Sequence, residues 1–156
     1  MHIRVIAVSD RQPAWVAAAF DEYAKRLPGQ WRFRLDNVAT TRRVDEGSAG
    51  QAVRAEGQKV LKQLKPAETV VLLDESGIEF TSEGLATRLN DWQTVGNDLA
   101  FVIGGPDGVS AECARRADLC WSLSRLTYPH GLARVVLVEQ LYRAWTLLNG
   151  HPYHRG

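Results

Sequence analysis

The run Leu99-Ala100-Phe101-Val102-Ile103-Gly104-Gly105-Pro106-Asp107-Gly108 sets the architecture. Five consecutive apolar residues read as a strand covered on both faces, the kind found in the middle of a parallel sheet. The glycines and proline behind it end the strand abruptly. A second run of this type, Val70-Val71-Leu72-Leu73, leads into Asp74-Glu75-Ser76-Gly77, which reads as a turn. Open α/β sheets bind ligands beyond the carboxyl ends of buried strands, so these two loops are the first candidates for a site.

On the amino side, Ile3–Val8 reads as a strand. After Pro13, a favoured first-turn residue, residues 14–27 place Trp15, Ala18, Ala19, Tyr23 and Leu27 at helical spacing until Pro28-Gly29 stops them. Residues 31–38 alternate apolar with polar side chains, which predicts a strand with one wet face at a sheet edge. Residues 50–64 have the pattern of a polar amphipathic helix. Thr81-Ser82-Glu83 has the chemistry of a helix start, with Leu85, Leu89 and Trp92 on the apolar face and Gly96 as the stop. Further on, residues 110–117 predict a helix, 119–123 a short apolar segment and 131–148 the longest helix. Strands alternating with helices give an α/β class with a mainly parallel sheet. No repeat, linker or compositional break divides residues 1–156, so one domain is expected.

A chain of 156 residues that is 45% hydrophobic and 24% charged is ordinary for a globular protein, which excludes disordered and collagen-like classes. Nineteen Lys and Arg against eighteen Asp and Glu leave a formal charge of +1, too balanced to hold nucleic acid by bulk electrostatics. Any such partner has to be met by a local patch. Two cysteines, Cys113 and Cys120, cannot build a disulfide framework, and no Cys and His cluster has structural-zinc spacing, so no metal is expected. The start of the chain lacks the layout of a secretory signal, and no apolar run reaches the roughly eighteen residues of a membrane span. A cytoplasmic location is expected.

Individual segments carry ambiguous chemistry. Gly104 to Gly108 is either ordinary turn chemistry or a loop that lets a ligand approach the backbone. Neither dinucleotide-binding nor P-loop glycine spacing occurs, and there is no nucleophile elbow. Asp74 and Glu75 are adjacent, so their side chains diverge. Along the last helix Leu132, Val135, Leu137, Leu141, Trp145 and Leu148 cover most of the circumference. Such a helix is central to its own domain, or packs one side on a second copy. Glu139 and Arg143 stand four apart, as in a surface ion pair. The tail His151-Pro152-Tyr153-His154-Arg155 is either a frayed end or a cluster able to exchange protons, stack on a base and grip phosphate.

Six spaced motifs together resemble the bacterial RlmH family: Leu73-Asp74-Glu75-Ser76-Gly77, Ile103-Gly104-Gly105-Pro106-Asp107-Gly108, Trp121-Ser122-Leu123-Ser124, Tyr128-Pro129-His130, Leu141-Tyr142-Arg143-Ala144-Trp145 and the closing 151–155 segment. These are SPOUT-class methyltransferases acting on a pseudouridine of large-subunit ribosomal RNA, and the resemblance runs the length of the chain in order. It implies a deep C-terminal trefoil knot, which ordinary topology rules disfavour, with S-adenosylmethionine held in the knot and a homodimer as the working unit. By motif, the cofactor pocket would involve Leu73, Gly104, Leu123, Ser124, Arg125, Leu126, Thr127 and Tyr128, with Gly104 leaving room for the ligand. The implied reaction is methyl transfer to N3 of a pseudouridine in 23S ribosomal RNA on the assembled ribosome. His154 would serve as base or base-orienting group, Arg155 would bind phosphate or a uracil oxygen, and Tyr153 would stack or hydrogen-bond. Glu139 or Arg143 could anchor this tail.

The chain departs from the family pattern at Ile78, where a basic residue is common, and around residues 40–50, which lack lysines. Arg42 and Arg43, with Lys25, Arg26, Arg32 and Arg34, remain for a local basic patch. With no appended RNA-binding domain, target selection is expected to come from the assembled ribosomal surface and from the pairing of two subunits. Competing expectations are a SPOUT enzyme for another RNA position, a ribosome-binding module without turnover, and a generic nucleotide-binding α/β dimer.

Overall fold

Strands β1 (Ile3–Val8), β2 (Arg34–Val38), β3 (Thr69–Ile78), β4 (Leu99–Ile103) and β5 (Leu119–Trp121) form one sheet in the order β2-β1-β4-β3-β5, with every pairing parallel. The computed structural model describes residues 1–155, apart from the side chain of Glu46; Gly156, at the end of the expected 1–156 unit, lies outside the described residues. Side-chain alternation along each strand feeds two layers. Val5, Ala7, Val71, Leu99, Phe101 and Ile103 join a core with Phe20 of α1 (Ala14–Ala24), Leu85 and Leu89 of α3 (Ser82–Val95) and Leu137 and Leu141 of α5 (His130–Leu148). Ile6, Val8, Val70, Leu72, Ala100 and Val102 join a second core with Val60 of α2 (Ala49–Gln63) and Cys113 of α4 (Ala111–Arg116).

The winding follows a single handedness. Crossings from β1 to β2 and from β3 to β4 move one way over the layer that holds α1 and α3. Those from β2 to β3 and from β4 to β5 move the other way over the layer that holds α2 and α4. The chain therefore reverses direction after β4, whose five residues are all buried in the sheet interior. Thr81 caps α3 by accepting from the Gly84 amide at 2.9 Å, and Gly96 closes it at φ 86°.

Four local expectations change. First, α1 ends at Ala24, and its inward line is Val16 and Phe20, four apart; that phase turns Trp15 (56% exposed) and Ala18 outward. Second, Trp31 is not in a strand. It closes a 3-10 turn, Gly29–Trp31, and the left-handed Arg32 that follows (φ 46°) breaks the alternation, so β2 starts at Arg34; its edge position is as expected. Third, residues 74–77 do not turn the chain away. They bulge within β3, so that both Leu73 and Ile78 pair with Trp121. Fourth, Glu139 and Arg143 do pair, at 2.7 Å, but partly buried instead of on an open surface.

Helix α5 packs against α1, α3 and the sheet, which accounts for its apolar circumference within one chain. Leu132 and Leu148 on it nevertheless stay exposed. No described helix is long and apolar enough to cross a membrane.

Candidate functional site

Because all strands are parallel, the loops that follow them meet at one end of the sheet. A cavity of about 480 Å³ opens there, walled by Leu73, Asp74 and Glu75 of β3, by Ile103 and the glycine loop after β4, by the segment between β5 and α5, and by His130 and Ala133 of α5. That is the size of a small-molecule site, roughly 300–1,000 Å³. The cavity gathers Leu73, Gly104, Leu123, Ser124, Leu126, Thr127 and Tyr128 of the expected cofactor set. Arg125 is exposed and does not line it.

Each wall is built locally. After β5, Ser122 Oγ donates to the Ser124 carbonyl at 2.8 Å, and the Leu126 amide donates to Ser124 Oγ at 3.0 Å, coiling the segment on itself. The glycine loop does the same: the Gly108 amide donates to the Gly105 carbonyl at 3.1 Å, and Gly108 takes φ 86°. A Cβ on Gly104 would stand 2.6 Å from Val109 Cγ1 and 3.0 Å from the Gly108 carbonyl. The fold of its own loop therefore already requires a residue without a side chain at 104, where the loop lines the cavity.

Outside the cavity the loop is braced by Glu56, which is buried, ion-paired to Arg43 at 2.5 Å and placed beside Gly105. Arg43 also reaches Asp107 at 3.0 Å. Its charge is thus matched within the protein, whereas Lys25 and Arg26 share the one exposed carboxylate of Glu22 and exposed Arg34 shares Asp36 with Arg4. Of the expected basic patch, Arg32 and Arg42 carry no ion pair among the described residues.

His130 closes the Tyr128-Pro129-His130 motif without an assigned role, and Arg134 is a residue that the sequence did not single out. His130 Nδ1 lies 3.2 Å from the Gly104 carbonyl, and its Nε2 lies 3.0 Å from Nη2 of Arg134. Arg134 is 4% exposed, and Nη2 also bonds Ser9 Oγ at 2.8 Å and Asn37 Oδ1 at 3.4 Å. Its Nε has no partner, and no carboxylate pairs with it among the described residues. Burial, then the Arg134 charge, pushes the His130 pKa down against the opposing bond to Gly104. One signal was available: Arg134 is the only charged residue among positions 131–138, one helical turn after His130.

The tail lies elsewhere in the same chain. Tyr153 OH donates to Glu139 Oε1 at 3.0 Å, its ring meets Tyr142 edge-on at 4.6 Å between centroids, and Arg143 covers it at 5.1 Å. Burial first, then bonding to Tyr23 and Glu139, pushes the Tyr153 hydroxyl pKa far up. His154 is half-buried with Nδ1 unpartnered, and Arg155 is exposed. None of the three lines the cavity. Cys113 is buried against Gly57, and burial pushes both cysteine thiols up, away from nucleophile chemistry. Among the described residues no cluster of His, Cys, Asp and Glu has metal-site geometry.

Known proteins are similar to this chain. A family model described as "Predicted SPOUT methyltransferase" matches residues 1–154. A Thioalkalivibrio sulfidiphilus protein named "Ribosomal RNA large subunit methyltransferase H" is 48% identical over 155 residues, 99% of each chain. Another of that name from Burkholderia multivorans is 45% identical over 155 residues, again 99% of each. Among solved structures, a "probable methylase family protein" from Haemophilus influenzae Rd KW20 superposes with a TM-score of 0.57 at 13% identity, covering 97% of this chain and 69% of that one, and so shares the fold. With the family model spanning the sheet, the cavity loops and most of the tail, the chain belongs to the SPOUT methyltransferase family.

Proposed function

We propose that this protein transfers a methyl group from S-adenosylmethionine to N3 of a pseudouridine in 23S ribosomal RNA, on the assembled ribosome, as a cytoplasmic homodimer. One observation carries the proposal: the three-loop cavity lies in a chain whose near full-length relatives are named ribosomal RNA large subunit methyltransferase H. The donor supplies an already activated methyl on a sulfonium, which leaves the protein to align it and to manage the proton of N3. The cavity suits that donor. Leu73, Leu123 and Leu126 offer apolar cover for adenine, Ser124, Thr127 and Tyr128 lie beside them, and Asp74 and Glu75 set negative charge opposite a cationic ligand. The trefoil knot belongs to the same proposal, supported by the SPOUT family match over residues 1–154.

Among the tail residues the raised Tyr153 pKa keeps its hydroxyl protonated, so it donates hydrogen bonds and does not act as base. That leaves His154 to take or orient the N3 proton and Arg155 to bind phosphate or a uracil oxygen. The tail rests on Glu139 and Tyr142, whereas the cavity touches α5 at His130 and Ala133. Ala133 and Tyr142 are about 13 Å apart along the helix at 1.5 Å per residue. A tail so placed serves the cavity of a second copy. Exposed Trp15, Leu132 and Leu148 on the adjoining α1 and α5 supply apolar surface for that contact.

Labelled methyl transfer to unmethylated assembled ribosomes, naked 23S RNA and pseudouridine-free ribosomes tests this. Label is expected on the assembled, pseudouridine-containing particles alone. Equal label on pseudouridine-free particles would make the protein a SPOUT enzyme for another position, and saturable donor binding without transfer would make it a ribosome-binding module. Adenine nucleotides competing as well as the donor would reduce it to a generic nucleotide site. A His154→Ala protein with full rate would remove His154 from the reaction.

A further inference from the structure

The contacts of Arg134 determine a proton state. A guanidinium has only donors, so His130 Nε2, 3.0 Å from Arg134 Nη2, has to be the acceptor and carry no proton. The Gly104 carbonyl can only accept, so His130 Nδ1, 3.2 Å away, has to carry one. A single species meets both demands, the neutral Nδ1–H imidazole. The opposite tautomer sets donor against donor and acceptor against acceptor, and a protonated ring points an N–H and a second positive charge at Arg134.

We infer that Arg134 is a positioning residue that locks His130 in this tautomer and through it holds the Gly104 carbonyl in the wall of the methyl-donor pocket. The inference rests on assigning that pocket to the donor. A buried guanidinium without a carboxylate is costly, and here it is seated on three neutral groups, Ser9, Asn37 and His130. A paired carboxylate would cancel the charge that keeps the ring neutral. The ionisable groups around His130 are few. Arg134 faces it from α5, Tyr128 lies on the segment before the helix, and Asp74 and Glu75 stand on the β3 wall of the same cavity. On the β1 side Asp10 is occupied by Thr40. Burial and the Arg134 charge act in one direction on the ring.

The test begins with the wild-type protein. Nitrogen-15 NMR of labelled histidine at neutral pH is expected to show His130 as the Nδ1–H tautomer, titrating at lower pH than an ordinary imidazole. Arg134→Met removes the donor and the charge, and Arg134→Lys restores the charge and donors on a single nitrogen. In Arg134→Met the ring is expected to mix tautomers and titrate at higher pH, with donor affinity weakened about fivefold, the size of one hydrogen bond. That loss falls on KM for the donor with kcat little changed, and Arg134→Lys recovers the tautomer and part of the affinity.

An Nε2–H or charged ring in the wild type overturns the inference, as does a tautomer shift in Arg134→Met with unchanged donor KM. Should Arg134→Met fail to fold, the wild-type spectrum and Arg134→Lys decide. A wild-type protein that shows the expected tautomer but binds no S-adenosylmethionine refutes the pocket assignment and the role of the Gly104 wall with it. Normal binding with the wrong tautomer refutes the Arg134 lock alone.

Discussion

At the amino end of β1, Arg4 grips Glu68 with two parallel bonds, Nε to Oε1 and Nη2 to Oε2, both 2.8 Å, while Asp36 stands 3.3 Å from Nη1. Both partners of the fork are buried. Burial opposes the Glu68 charge, but the Arg4 bond and the Lys65 amide outweigh it and hold the carboxyl below its ordinary range. A folded-state pKa below the unfolded one gives stability that is fully present above about pH 4.3 and is lost as pH falls through the folded value. Glu68→Gln leaves buried Arg4 with Asp36 as its one remaining carboxylate, with an expected cost of about 2 kcal/mol in denaturant unfolding at neutral pH and a shallower loss toward acid. A cost under about 1 kcal/mol would mean that the pair behaves as an exposed one. In the sequence Arg4 is only an interruption of an apolar run, because its partner lies 64 residues away. Arg134 was hidden for the same reason: Ser9 and Asn37 reach it across 125 and 97 residues.

Among the elements, the β3 bulge ties the fold to the cavity. Gly77 lets the bulge close on β5: a Cβ there would lie 2.6 Å from the Trp121 amide nitrogen and 2.7 Å from the Cys120 carbonyl. These are backbone atoms, which cannot swing aside. Gly77→Ala is expected to destabilise by about 1–3 kcal/mol and to weaken donor binding, since Asp74 and Glu75 sit on the bulge and line the cavity. An unchanged unfolding midpoint together with unchanged donor calorimetry would contradict this. Buried strands and helix faces were legible because hydrophobic period is local. The bulge was not, because Asp, Ser and Gly favour turns and bulges alike, and only pairing with distant Trp121 decides between them. Trp31 misled in a similar way: the alternation at 31–35 is genuine, but the left-handed Arg32 inside it sends Trp31 to the core from a turn.

For the whole molecule, one-dimensional motifs pointed to the loops that wall the cavity but could not say where the tail lies. In one chain Tyr153 is bound to Glu139 and Tyr142, about two helical turns from the cavity. If two copies complete each other, mixing a cavity-blocked variant, Thr127→Trp, with a tail variant, His154→Ala, restores what neither has alone. Random pairing is expected to give about a quarter of wild-type methyl transfer, from one complete site in half of the dimers. No recovery on mixing would mean that each tail serves its own cavity. If the exposed Trp15 seals that proposed contact, Trp15→Glu is expected to sediment as a monomer and to lose methyl transfer; an unchanged sedimentation profile would exclude α1 from the contact.

The most direct measurement is mass spectrometry of nucleosides from 23S RNA after ribosomes have been treated with the protein and S-adenosylmethionine. The account predicts one new nucleoside, pseudouridine methylated at N3. A methyl group on uridine, on another base or on ribose, or none at all, would contradict it.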